Sequence, residues 1–177
     1  MDYPFHAESR GQIRATAERV FVHLDDHARL SAHMARRSWR MGWGRMQLQL
    51  DERAGRAAGS RIRLAGRVFG LRLGLEEVVT EYAPPVRKVW ETVGTPRLLV
   101  IGPYRMGFRI EPAAGDDVTL LVFVDYAPPA RGVSRFLGGL FGRAYAQWCC
   151  DRMVADARAA LDPALVTATS ERRVLGT

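Results

Sequence analysis

The sequence predicts an α+β fold in which a curved antiparallel sheet of about seven strands packs against one long C-terminal helix, with two short helices after the first strand. Between residues 45 and 126, short runs of alternating apolar and polar side chains are separated by turn residues, which is typical of strands in a meander. From about residue 134 to 161 the apolar residues recur with helical spacing instead. A length of 177 residues and an apolar content of 47% suit one domain with a sizeable core.

The N-terminal part predicts one strand and two short helices. Residues 3–14 read as a weakly patterned first strand. Thr16 is a suitable N-cap for a helix that continues to about Leu24. Asp25–Asp26 can end that helix and cap a second one over about 27–34. The chain would then enter the meander after two short helices.

Six strands are predicted in the meander. Their expected ranges are 45–50, 61–68, 71–83, 86–93, 104–111 and 118–126. Residues 97–101 either continue the fourth of these strands or form one of their own. The alternation breaks at Glu76–Glu77, which predicts a bulge or a change of exposure. Residues 118–126 are apolar on both faces, which favours a central place in the sheet.

An apolar stripe is expected to attach the C-terminal helix to the sheet. Its members are Leu137, Phe141, Ala144, Tyr145 and Trp148. The four-residue spacing of Gly138 and Gly142 predicts close packing of the helix on the sheet or on loops. Asp162–Pro163 ends the helix, so the domain is expected to cover 1–163 and the tail 164–177 to be disordered. A curved sheet covered by one helix leaves a hollow wherever facing side chains do not fill it, and such hollows are the usual sites for small molecules.

The charge pattern is basic but dispersed. The formal net charge is +7, from 26 basic and 19 acidic residues, and Lys88 is the only lysine. The arginines are scattered, which is typical of a generically basic surface rather than of nucleic-acid binding. We therefore expect no nucleic-acid partner, while a weak contact with anionic membranes stays open.

The cysteines and the N-terminus bear on location. Cys149 and Cys150 are adjacent in the helical stretch, where neighbouring side chains diverge by about 100°. Buried reduced thiols are therefore expected, rather than a disulfide or a zinc site. The first residues lack the apolar core of a signal peptide, and no apolar run reaches about 18 residues. These features predict a cytoplasmic protein.

Three parts of the chain resemble one known superfamily. Residues 15–26 (ATAERVFVHLDD) look like its opening, where a capped turn leads into a helix and an Asp-containing break. Residues 77–85, followed by 89–91, resemble its mid-sheet pattern of strand, proline turn and Trp-bearing strand. The aromatic-rich closing helix is similar to its final helix. The resemblance covers residues 3–161 and is to the START/SRPBCC superfamily, which contains polyketide cyclases, lipid-transfer START domains and the birch-pollen-allergen type.

The resemblance implies a helix-grip fold with an internal cavity and no shared set of catalytic residues. One departure concerns the second short helix, after which the family often has a Trp that follows Leu-Pro. Here residues 30–34 read Leu-Ser-Ala-His-Met, so a polar ring is expected near the pocket mouth.

Aromatic side chains are the candidate lining of that cavity. As a wall they would suit a flat, apolar or aromatic ligand, and their alternative role is to fill the core. The candidates are Trp39, Trp43, Trp90, Tyr104, Phe108, Tyr126, Phe141, Tyr145 and Trp148. For Trp90 the orientation of the sheet decides between the two roles.

Three residues are candidates for catalysis. His33 could act as a general base at the cavity entrance, or be an exposed residue at a helix end. Tyr145 could offer a hydroxyl to the ligand. Arg152 follows Trp148 by one turn and is expected to reach solvent or to meet an acid. The acids considered for that pair are Glu76, Glu77 and Asp125.

His23 and His27 have the four-residue spacing of paired metal ligands on a helix. The helix is expected to break between them, and no further His or Cys cluster completes a site. Both are therefore expected to be surface histidines, and neither a metal nor another cofactor is expected.

Together these features predict binding of a hydrophobic or amphipathic small molecule, such as a lipid, a quinone or a polyketide-like compound, in an internal cavity. The first alternative, which the resemblance allows, is a polyketide cyclase/aromatase-type enzyme. It would need at least two of five side chains to converge, namely His33, Tyr104, Tyr126, Tyr145 and Arg152. The second alternative is a peripheral membrane or protein-interaction module that uses the basic surface and residues 136–141. The sequence leaves the oligomeric state open.

Overall fold

The computed structural model describes residues 2–27, 45–68, 71–130 and 132–162, and this part of the chain contains seven strands and two helices. The α+β class is confirmed. In chain order the elements are β1 (Phe5–Ile13), α1 (Ala17–Asp25), β2 (Arg45–Leu50), β3 (Arg61–Val68), β4 (Leu71–Ala83), β5 (Arg87–Arg97), β6 (Tyr104–Pro112), β7 (Val118–Tyr126) and α2 (Gly132–Leu161).

All seven strands belong to one antiparallel sheet, in the order β1-β7-β6-β5-β4-β3-β2. Strands β2 to β7 form the predicted meander, and the first strand, β1, pairs with the last strand, β7. Helix α2 packs chiefly on β1 and β7, which makes the helix-grip arrangement. The sheet face toward α2 is called the inner face below.

Strand β7 is buried on both sides, as its apolar composition predicts. It lies between β1 and β6 and so has a partner on each edge. Val122 contributes to the main core on the inner face, whereas Phe123 joins Leu121 and Val89 in a small cluster on the outer face. The main core between the sheet and α2 includes Phe108 of β6, which is fully buried.

The predicted stripe of α2 is wrong in its rotation about the helix axis. Phe141 and Trp148 are each 49% exposed, and Ala144 is exposed as well. The face that packs on the sheet carries mainly small side chains. Its buried members are Gly142, Ala146, Cys150, Met153, Val154 and Ala157. Small residues occupy this face because they let the helix backbone come close to the sheet, whereas large aromatic side chains would hold it away.

Glycines permit that close approach, as the spacing of Gly138 and Gly142 predicts. A Cβ atom on Gly138 would lie 2.6 Å from Pro129 Cδ and 2.8 Å from Val100 O. At the other end of the contact, a Cβ on Gly11 of β1 would lie 2.5 Å from Val154 Cγ1. Such distances are shorter than carbon contacts allow, so no larger residue fits without movement.

Two irregularities in β4 set which side chains face inward. The register with β5 shifts between Gly74 and Glu76 and again between Val79 and Glu81. The first shift confirms the irregularity predicted near Glu76–Glu77. Because of the second shift, the next inward-facing side chain after Val79 is that of Tyr82, which pairs with Lys88, whereas Glu81 faces outward. Both inner-face clusters described below depend on these shifts.

Several other predicted bounds differ slightly or fall outside the described residues. Strand β1 is shorter at both ends than the predicted 3–14, and β5 continues to Arg97 without including 98–101. The second short helix predicted over 27–34 and the tail 164–177 lie outside the described residues, apart from His27. In the part of the chain that the structure describes, no helix has the length and apolarity to cross a bilayer.

Candidate functional site

Strand β5 supplies the central row of the candidate site. Because side chains alternate along a strand, Lys88, Trp90 and Thr92 share the inner face, and all three are buried. Val89 between them lies on the outer face with Phe123. The sheet orientation therefore places Trp90 on the inner face, where its ring packs near those of Phe108 and His27.

Lys88 and Asp25 form a buried ion pair where the end of α1 meets the sheet. The Lys88 ammonium, which is fully buried, donates to Asp25 Oδ1. Tyr82 Oη donates to Asp25 Oδ2 at 3.0 Å, and Arg56 Nε lies 3.6 Å from the same oxygen. Burial lowers the pKa of Lys88, and the Asp25 carboxylate opposes that change. The only lysine of the chain thus fastens α1 to β5.

Glu77 is a buried carboxyl on the inner face of β4, opposite Thr92 of β5. Tyr104 Oη donates to Glu77 Oε1, and Thr92 Oγ1 accepts the backbone N–H of Tyr104 at 3.0 Å. Burial raises the pKa of Glu77 to about 7, although hydrogen bonds from Tyr104 and Trp90 act in the opposite direction. This carboxyl therefore changes between its neutral and ionised forms near neutral pH. Below, Glu77 and Tyr104 are called the Glu77–Tyr104 pair.

Helix α2 faces this pair with Tyr145 and Cys149. The pKa of Tyr104 is raised by burial first, then by the charge of Glu77 and by the neighbouring Tyr145 and Cys149. Burial also raises the pKa of Tyr145 and brings that of the Cys149 thiol to about 11. Both phenols and the thiol therefore stay protonated at neutral pH. The arrangement can donate hydrogen bonds, but it does not offer a thiolate nucleophile.

His27 is buried, so the expectation of a surface histidine is wrong for it. Its ring meets that of Trp90 edge-on at 5.4 Å, and a Cβ on Gly55 would lie 2.7 Å from His27 Cδ2. Gly55 has φ of +74°, a conformation that glycine adopts readily. Burial and the Lys88 charge lower the pKa of His27 to about 3. The imidazole is therefore neutral at physiological pH.

The aromatic candidates divide into three groups. Five lie on the inner side of the fold, namely Trp90, Tyr104, Phe108, Tyr126 and Tyr145. Phe108 fills the core between Phe21 and Trp90, and Tyr126 packs against Phe5. Phe141 and Trp148 are half exposed on α2 and are therefore not part of the inner wall. Trp39 and Trp43 lie outside the described residues.

The catalytic candidates are also separated. Arg152 is exposed, which fits the alternative that it reaches solvent, and it pairs with Asp156 one turn along α2 at 3.0 Å rather than with Glu76, Glu77 or Asp125. The rotation of α2 explains this, since Cys150 rather than Trp148 faces the sheet. Tyr145 lies beside Tyr104 at the inner face, and His33 lies outside the described residues.

The cysteines are free, as expected. Cys150 is buried with its Sγ 3.7 Å from the carbonyl oxygen of Ala7, and Cys149 is half-buried.

Glu77, Lys88 and Asp25 were not predicted from the sequence as groups of the candidate site. Two signals were present: the break in alternation at Glu76–Glu77, and a single lysine among 26 basic residues. Neither signal identifies the partner, because the partner comes from a distant part of the chain.

The inner face has an apolar wall around the Glu77–Tyr104 pair. Helix α2 covers β1 and β7, while the wall near β2 to β6 includes side chains that remain half-buried. They are Leu48, Leu75, Tyr82, Leu98, Tyr104 and Met106. Concave apolar walls with few convergent polar groups are the usual form of small-molecule sites.

Solved structures with the same fold include proteins of several kinds. One is protein CV1439 from Chromobacterium violaceum, with a TM-score of 0.58 and 14% identity over 90% of this chain and 99% of that one. Norcoclaurine synthase from Thalictrum flavum gives a TM-score of 0.58 and 12% identity over 89% of this chain and 85% of that one. The Zhui aromatase/cyclase from a Streptomyces species gives 0.50 and 17%, over 96% and 95% of the two chains. At these identities the likeness shows a shared fold.

The sequence itself also matches a family. No curated protein matches the chain. Residues 4–161, however, match the family described as polyketide cyclase/dehydrase and lipid transport, which supports a ligand-binding domain. The match covers most of the 177 residues, from before β1 to the end of α2. The chain therefore belongs to the polyketide cyclase/dehydrase and lipid transport family, within the START/SRPBCC superfamily.

Proposed function

We propose that the protein binds a hydrophobic or amphipathic small molecule, of the lipid, quinone or polyketide-like class, between the inner face of β2 to β6 and helix α2. The observation that carries the proposal is the Glu77–Tyr104 pair, a buried carboxyl and phenol set in a wall of half-buried apolar side chains. The description of the family, which names both cyclases and lipid transport, supports the same class of ligand.

The two kinds of surface would have different tasks. Apolar contact would supply most of the affinity, since about 200 Å² of buried apolar ligand surface contributes about 5 kcal/mol. The Glu77–Tyr104 pair would orient a carbonyl, hydroxyl or quinone oxygen at one end of the ligand. Because Glu77 has a pKa of about 7, its neutral form can donate to a ligand oxygen and its ionised form can accept from a hydroxyl.

A cytoplasmic location belongs to the same proposal. Its support is that Cys149 and Cys150 are both unpaired, as is usual for proteins of a reducing compartment.

A cyclase/aromatase-type enzyme is the second candidate, favoured by the nearness of Tyr145 to Tyr104, which donates to Glu77. These tyrosines are two of the five candidate side chains, and such an enzyme would need at least two of them to converge. In a cyclisation, the Glu77 carboxylate would take a proton from a carbon next to a ketone, and a tyrosine hydroxyl would donate a hydrogen bond to the ketone oxygen. The similar fold of an aromatase/cyclase agrees with this candidate.

The first experiment is native mass spectrometry of the protein purified from its own host, followed by extraction and identification of the bound molecule. A lipid, quinone or polyketide-like compound near one per chain supports the proposal. An empty protein that also takes up no apolar dye contradicts it, because the inner wall would then have no room for a ligand.

Two variants test the role of the Glu77–Tyr104 pair. With the extracted compound as ligand, Glu77→Gln and Tyr104→Phe should each weaken binding by about tenfold, the usual effect of one lost hydrogen bond in a buried site. Binding of a purely apolar dye should change little. Glu76→Gln on the outer face of β4 and Tyr3→Phe near the surface serve as matched controls.

The enzyme candidate has its own readout. A poly-β-ketone thioester would be incubated with the wild-type protein and with both variants, and ring formation followed by mass spectrometry. Rapid cyclisation that is lost in Glu77→Gln and Tyr104→Phe identifies an enzyme. Cyclisation at the uncatalysed rate identifies a carrier.

A further inference from the structure

Exposed apolar side chains are concentrated at the start of α2. Phe136 is 73% exposed, Leu140 63% and Phe141 49%, all within six residues of one helix. Phe136 and Leu140 are four residues apart and therefore lie on the same side of the helix. These three residues are called the α2 patch.

The packing of α2 holds the patch away from the core. Gly138 and Gly142 face Pro129 and Val100, and the contacts of Gly138 leave no room for even a methyl group. Phe136 lies two residues before Gly138, hence on a different side of the helix. Rotation of the helix to bury Phe136 would break the glycine contacts. The exposure is thus a consequence of how the helix is fastened.

The patch is accompanied by positive charge. Arg135 and Arg143 are exposed on the same turns, and no described carboxylate pairs with either. In the sequence, no Asp or Glu occurs between Asp125 and Asp151. Apolar side chains flanked by arginines on an exposed helix match the chemistry of a membrane surface with acidic lipids.

We propose that the first half of α2 docks on the surface of an anionic lipid bilayer. The α2 patch would enter the boundary between headgroups and acyl chains, while Arg135 and Arg143 would contact lipid phosphates. The proposal goes beyond ligand binding, although docking would bring the inner-face site close to a source of apolar molecules. A second copy of the chain fits less well, since a two-fold contact through the patch would bring the arginines of both copies together.

The test uses the full chain and vesicles of two compositions: phosphatidylcholine alone, and an equimolar mixture with phosphatidylglycerol. Sedimentation should show binding to the mixed vesicles at low salt and weaker binding at high salt. Phe136→Ser with Leu140→Ser should reduce binding by about tenfold, because two apolar side chains no longer enter the membrane. Arg135→Ser with Arg143→Ser should reduce it by about 25-fold, at about fivefold per arginine.

Matched controls come from the same molecule. Val22→Ser removes an equally exposed apolar side chain from α1. Arg158→Ser removes a charge about 33 Å further along α2, at 1.5 Å per residue from Phe136. Both should bind like the wild type. All variants should still take up apolar dye in the absence of vesicles, which separates failure of docking from failure of the ligand site.

Three results would overturn the proposal. The first is no binding to mixed vesicles at low salt. The second is salt-sensitive binding that persists in the Phe136/Leu140 variant, since the general charge of +7 would then explain it. The third is a dimer in light scattering that the same variant dissociates, which would assign the patch to a second copy.

Discussion

Lys88 and Asp25 are 63 residues apart in the sequence and form a buried ion pair that ties the last residue of α1 to the middle of the sheet. The two groups do not depend on each other equally. Without Lys88, Asp25 would still accept a hydrogen bond from Tyr82 and lie near Arg56. Without Asp25, the Lys88 ammonium would lose the carboxylate that it contacts directly.

We therefore expect Asp25→Asn to destabilise the protein more than Lys88→Met. The first leaves a buried ammonium without its counter-ion, which costs about 3–5 kcal/mol of unfolding free energy. The second leaves a carboxylate that still has a hydrogen bond and a nearby arginine. Urea unfolding of both variants and of the double variant Asp25→Asn with Lys88→Met measures the coupling, and the double variant should recover part of the loss. Single losses below about 1 kcal/mol would show that the pair contributes little.

Glu77 should make stability depend on pH. Its pKa is about 7 in the folded protein and 4.5 ordinarily, so between these values the folded state keeps a proton that the unfolded state has lost. The free energy of unfolding contributed by this residue is thus greatest below pH 4.5, falls as pH rises to about 7, and then stays constant.

The comparison that isolates this residue is Glu77→Gln against the wild type. The difference in unfolding free energy, variant minus wild type, should rise by about 3 kcal/mol between about pH 4 and about pH 8. Other titrating groups are common to both proteins and cancel in the difference. A difference that is constant over this range would mean that Glu77 keeps an ordinary pKa.

Gly138 and Gly139 are neighbours in α2 that should respond oppositely to alanine. A Cβ on Gly138 would lie 2.6 Å from Pro129 Cδ, but one on Gly139 would have no atom within 4 Å. Gly138→Ala should lower stability by about 1–3 kcal/mol through overpacking. Gly139→Ala should raise it by about 0.5–1 kcal/mol, since alanine is the better helix former. Thermal unfolding of the two variants measures both, and equal shifts would contradict the close contact at Gly138.

The two thiols should be unreactive in the folded state. Burial raises the pKa of Cys149 to about 11 and that of Cys150 to about 12, so little thiolate exists at neutral pH. Labelling with a thiol reagent should be slower than for a free cysteine by a factor on the order of 10² or more. Two thiols per chain should react rapidly once urea unfolds the protein. Fast labelling of one thiol in native protein would place Cys149 in solvent.

Local patterns predicted the strands of this protein well. The apolar run along 118–126 predicted β7 and its burial on both faces, and the break at Glu76–Glu77 predicted the irregularity in β4. Both features depend on residues that are close in sequence, which is why periodicity and turn residues report them.

The candidate site could be predicted only in part, because its contacts join distant residues. Of the aromatic candidates, Trp90, Tyr104 and Tyr145 lie on the inner face. The sequence pattern does not predict that Tyr104 contacts Glu77, 27 residues away, because that contact depends on the register shifts in β4.

The meander and the one long closing helix could be predicted from the amino-acid sequence, since both follow from side-chain periodicity within each segment. Which side of α2 faces the sheet depends instead on contacts between distant residues. Helical spacing predicted that Phe141 and Trp148 face the sheet, but the residues buried against it include Gly142, Ala146 and Cys150. The cause is steric, because close packing on β1 and β7 selects small side chains and leaves the large aromatic ones at the surface.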